Sequence, residues 1–178
     1  MLRSLTVGLL SAGVLLVVAV FPVQAQSTTL SDDQLQYIRA NCLPIKNTLK
    51  QLHATDALLR VNRGQQYESM TTKLMERLGT RLVANGLTVA PLSDGLTEYN
   101  KTLAKFRTTY QSYEEQLAST LRIDCTKQPA SFFQAIESAR TKRTAVHDAV
   151  LDLHKAIDTY RAAFNAFRES FRQVSKDE

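Results

Sequence analysis

From Leu35 onward the apolar positions recur at alternating steps of three and four: Leu35, Ile38, Cys42, Ile45, Leu49, Leu52, then Asp56 where an apolar residue would stand, then Leu59. That period is one face of a helix, and sustained over several heptads it is a coiled-coil seam. Ser31 with Gln34 is a capping-box pattern just ahead of it and predicts the helix start. Pro44 lies inside the seam, which predicts a kink or restart over residues 40–44. After Arg63 and Gly64 the seam resumes as Tyr67, Met70, Leu74, Leu78 and Leu82, displaced by four residues. A continuous helix absorbs such a stutter by local unwinding, whereas a break at Gly64 divides the helix in two. Asn85 and Gly86 predict the C-terminus, with Pro91 opposing continuation.

A second periodic stretch begins near Ser93 and carries Leu96, Tyr99, Leu103, Phe106, Tyr110, Tyr113 and Leu117. A third begins at a further capping-box pattern, Ser131 with Gln134, and carries Ile136, Ala139, Arg143, Val146, Val150, Leu153, Ile157 and Tyr160, continuing through Phe164, Phe167, Phe171 and Val174. The chain therefore reads as all-α.

The two cysteines bear on how these helices are ordered. In an up-down-up-down four-helix bundle broken near Gly64, Cys42 and Cys125 lie at opposite ends, beyond the ~7 Å between Cα atoms that a disulfide tolerates. If residues 42–84 are one long rod, straight or kinked, the helix from Ser93 descends beside it and delivers Cys125 to Cys42. The expected fold is an elongated antiparallel three-helix bundle or coiled coil. The alternative four-helix bundle requires unpaired cysteines or another connection order.

The N-terminus explains why a disulfide is expected. Arg3 precedes an apolar run from Leu5 to Phe21, and Val23 and Ala25 are the small residues of a cleavage site, so residues 1–25 read as a secretory signal peptide. The alternative is an uncleaved anchor, the only route by which this chain would contact a membrane. Residues 26–30 read as a flexible start and 31–178 as one helical domain. Either outcome places the domain outside the cytoplasm, where a cysteine pair oxidises. A bridge closing so large a loop stabilises by on the order of 4 kcal/mol. Composition agrees with a single helical domain: 178 residues, 44% hydrophobic, with only 6 Gly and 4 Pro, too few for a turn-rich β-sandwich. Cleavage leaves 153 of the 178 residues and lowers the net charge from +5 to +4, because Arg3 is lost. That excess is spread thinly over the helices.

Two charged residues interrupt the seams. The disulfide register brings Asp56 and Arg143 to the level of Tyr110 and Tyr113, predicting a polar layer of these four, either a register-fixing ion pair or a charged pocket. His53, His147 and His154 all fall on the flank beside the core, with Glu114 the expected neighbour of His53. The residues nearest to a metal set are His147, His154 and Asp158. His147 and His154 are about 10.5 Å apart along the axis, too far to share an ion alone, so no metal site is expected. No haem-attachment motif, phosphate loop or nucleophile elbow occurs, and no cofactor or catalytic residue is expected.

The segments I-D-C-T-K-Q-P (Ile123 to Pro129), A-L-L-R-V-N-R-G (Ala57 to Gly64) and V-H-D-A-V-L-D-L-H (Val146 to His154) resemble uncharacterised secreted helical proteins of small-genome, candidate-phylum bacteria. The resemblance implies a secreted bacterial protein and carries no activity or ligand. The function expected is a non-enzymatic extracytoplasmic module acting through a protein or an envelope polymer. The alternative is a small-ligand or metal carrier using the polar layer or the His flank. Export argues against nucleic acid as a partner.

Overall fold

In the computed structural model, residues 30–174 are described. The expected signal peptide at 1–25, and all but the last residue of the start at 26–30, lie outside the described residues. Every regular element among the described residues is helical: α1 (Asp32–Ala40), α2 (Cys42–Ser69), a π-helical segment (Met70–Met75), α3 (Glu76–Ala84), α4 (Ala90–Arg122) and α5 (Pro129–Val174).

The helix ends follow from local chemistry. Gln34 N–H donates to Ser31 Oγ at 3.3 Å and Ser31 N–H to Gln34 Oε1 at 2.9 Å, so the capping box at α1 is formed in both directions. The chain breaks at Asn41, and Pro44 falls in the first turn of α2, where its missing N–H costs nothing. At the end of α3, Gly86 takes φ 72°, Gly86 N–H donates to Val83 O and Leu87 N–H to Leu82 O, a Schellman arrangement that needs a residue at ease in the left-handed region. Two expected starts move. α4 begins at Ala90, with Pro91 in its first turn, and α5 begins at Pro129, leaving Ser131 inside the helix. In both, a proline stands in the first turn, upstream of the serine near which the start was expected.

Gly64 lies within α2 and the helix runs through it. The stutter is absorbed further on, in the π segment, whose extra residue per turn rotates the following turns. The buried positions therefore run Tyr67, Thr71 and Met75, while Leu74, expected in the seam, is 63% exposed. Space around Gly64 is open, with nothing within 4 Å of an added Cβ. Gly64→Ala is therefore expected to stabilise by about 1 kcal/mol and raise Tm by a few degrees, read by thermal melts followed by circular dichroism.

α4 runs antiparallel to α2 and to α5, so α2 and α5 run parallel. Cys42 of α2 is bonded to Cys125 just beyond α4, with Cα atoms 5.5 Å apart. On α4 the expected positions from Tyr99 to Leu117 are buried. On the upper part of α5 the buried face is Ala149, Leu153, Ala156 and Tyr160, rotated from the expected seam, and Val150 and Ile157 are only half-buried. Small side chains are the reason. Alanines let the backbones of α4 and α5 approach, and Gly95 does the same, since a Cβ there would stand 3.3 Å from Tyr160 Cδ2. α4 and α5 form the most extensive helix pair, and α2 is left to lie on α4 with little contact to α5.

Candidate functional site

That unequal packing leaves a slot between α2 and α5, floored by α4, with a volume of about 450 Å³. Both ends are closed by ties between α2 and α5. At the lower end Asp56 is buried and accepts three hydrogen bonds: from Tyr113 Oη at 2.7 Å and Arg143 Nε at 2.8 Å on Oδ2, and from Arg143 Nη2 at 3.1 Å on Oδ1. At the upper end Tyr67 Oη and His154 Nε2 are 2.9 Å apart. Both ties join residues 87 apart in sequence, so one register sets both. From Asp56 to Tyr67 the helical rise gives the slot a length of about 16 Å.

Of the residues expected in the polar layer, the structure brings Asp56, Tyr113 and Arg143 into one hydrogen-bonded set. Tyr110 stands beside it in a different role. Its ring meets Tyr113 edge-on at 6.2 Å between centroids and lies under the Arg60 guanidinium at 5.4 Å, so it contributes a π-face. Arg143 was expected within the seam, but its side chain is 52% exposed, because the rotation of α5 turns it toward the slot.

Burial acts to raise the pKa of Asp56. The hydrogen bonds from Arg143 and Tyr113, with the charge of Arg143, outweigh it and hold the carboxyl below its ordinary value. Burial first, then the hydrogen bond to Asp56, pushes the Tyr113 phenol well up, and burial with the neighbouring Tyr67 pushes Tyr99 up to about 12. These phenols are neutral donors at ordinary pH. Because the folded pKa of Asp56 is depressed, the stability this group adds is present above its unfolded pKa of about 3.9 and is lost as pH falls through the lower folded value. The stability gap between the native protein and Asp56→Asn is therefore expected to be clear at neutral pH and to shrink below about pH 4 in paired urea melts.

The three residues nearest to a metal set do not converge. His154 Nε2 is engaged by Tyr67, Asp158 is 3.0 Å from Arg161, and His147 Nδ1 is 3.7 Å from Asp148. Among the described residues no group of three metal-type side chains occurs. His53 Nε2 is buried without a hydrogen bond, 4.0 Å from the Glu114 Oε1 expected beside it.

No family model, curated protein or solved structure matches the chain. The chemistry of the site must therefore be read from the residues themselves. The middle of the slot holds Arg60 and Arg63 on the α2 lip, His147 on the α5 lip, aliphatic Leu59, Val146 and Val150, and the rings of Phe106 and Tyr110 below. Its one carboxylate, Asp56, is already neutralised by Arg143. Arg60 and Arg63 have no carboxylate partner among the described residues. Arg60 lies over Tyr110, and Arg63 reaches only Gln66 Oε1 at 3.4 Å. Arg60 and Arg63 were not singled out as site residues from sequence. The available signal was local: from Ala57 to Tyr67 there are two arginines and no acid.

Proposed function

We propose that the protein is a non-enzymatic, extracytoplasmic helical binding module, and that the slot between α2 and α5 is its recognition site. In this reading the three helical limbs, α2 to α3, α4 and α5, form an elongated bundle that serves as the frame. The observation that carries the proposal is the slot itself: a recess tied at both ends and lined by apolar side chains with a few oriented polar groups, the usual make-up of a ligand site. A recess of this size favours a narrow occupant over a flat protein surface. The Cys42–Cys125 disulfide supports an oxidising compartment, and no helix among the described residues is long and apolar enough to cross a membrane. The non-enzymatic reading is supported by the polar layer. Its carboxylate is held by its own arginine and tyrosine rather than offered to a substrate.

A photo-crosslinking residue at Leu59, on the lip, should capture a partner or ligand on intact cells. The same residue at Lys101, an exposed position of α4, should not. Equal capture at both positions, identified by mass spectrometry, would remove the slot as the recognition site.

A further inference from the structure

Resting on that reading, we infer that the slot takes an anionic amphiphile, a single carboxylate or phosphate head on an apolar body. Three observations converge on that class. The lips carry Arg60 and Arg63, two guanidiniums without acid partners, beside a carboxylate that Arg143 has already taken up, so the residual field in the slot is positive. A guanidinium presents paired donors that match the two oxygens of a carboxylate or phosphate. Beneath those cations the surface is apolar, with Leu59 and Val150 on the sides and the ring of Phe106 below. A polyanion would find too few cations there and would leave the apolar floor wet, while a cation would meet only positive lips.

The shape narrows the class further. The ties Asp56–Arg143 and Tyr67–His154 close the slot at both ends, about 16 Å apart. With its head held by Arg60 and Arg63 midway between the ties, an acyl chain has about 10 Å of apolar floor to lie along, roughly its first eight carbons, and the remainder leaves through the open face of the slot. The apolar floor contributes affinity by area, and the arginines determine the sign of the charge accepted.

Calorimetric titration of the full oxidised protein with laurate, dodecyl phosphate and dodecyltrimethylammonium, each below its self-association concentration, tests this. Laurate and dodecyl phosphate should each saturate one site, and the cation should not. Arg60→Glu with Arg63→Glu should weaken both anions by about tenfold or more, since two charge-assisted hydrogen bonds are lost, with Tm falling by only a few degrees because both side chains are exposed and only the Arg60–Tyr110 contact is given up. Arg60→Lys with Arg63→Lys should retain binding of the anions. Sedimentation with phosphatidylglycerol vesicles separates the sources. Capture that the double Glu variant loses assigns the head to a membrane lipid, and binding of the free anions without vesicle capture assigns it to a soluble amphiphile. Equal binding of the cation, unchanged laurate binding by the double Glu variant, or no binding of either anion would overturn the inference. If Leu59 still captures a partner in that event, the slot stands as the recognition site and only the ligand class falls.

Discussion

Replacing Cys42 and Cys125 together by alanine should lower the stability of the oxidised protein by on the order of 4 kcal/mol, because the bridge closes a loop of 83 residues that spans α2, the π segment, α3 and α4. For a domain of this length the loss corresponds to a fall in Tm of roughly 10 °C or more. Loop closure is the larger part of the effect, and packing adds to it. Cys125 is fully buried in a cluster with Ile38 and Phe132, which joins α1 to the first turn of α5. Urea unfolding of the native protein with and without reductant, beside the double variant, checks both parts. Reduction should reproduce the loss of loop closure, and the variant should lose slightly more through missing sulfur contacts. A change below about 1 kcal/mol would mean that the unfolded chain is scarcely restricted by the bridge.

The second large effect is expected at the lower tie of the slot. Arg143→Ala leaves the Asp56 carboxylate buried with Tyr113 as its one remaining donor, and should destabilise by about 2–3 kcal/mol. The figure lies below the 3–5 kcal/mol typical of a fully buried pair because the Arg143 side chain is half in water. Asp56→Ala removes the buried charge but strands the Tyr113 hydroxyl, so it too should destabilise, by about 1–2 kcal/mol. The double variant should cost less than the sum of the two, with a coupling energy of about 1 kcal/mol or more by urea melts, and strict additivity would deny direct contact. The same cycle bears on the slot, whose lower end this pair closes.

Much of the helical organisation is legible in the chain because periodicity and capping are local. The seam on α4 is a run of large side chains spaced for one face, and packing has no better alternative for Tyr99, Leu103 or Phe106. The α1 capping box needs only residues three apart. Where the expectation fails, a competing force acted at longer range. The α5 seam was placed on Val150 and Ile157 by size and hydrophobicity, yet α4 packs on Ala149 and Ala156, because close approach of two backbones gains more contacts than one larger side chain. Leu74 was placed in the α2 seam by spacing alone, and the π segment turned it outward.

The order of residues in the sequence places Asp56 and Arg143 at seam positions, and an even cysteine count behind an N-terminus that reads as a signal peptide marks the pair as a candidate bridge. Both are matters of type and spacing, which a linear chain carries in full. Only the tertiary structure decided that α4 binds α5 more closely than α2, and with it that a slot opens beside Arg60 and Arg63. That outcome depends on a glycine and two alanines on the facing surfaces of α4 and α5. Ala149 and Ala156 stand seven residues apart, but side chains this small do not mark a packing face by size or hydrophobicity, and their consequence is felt on α2.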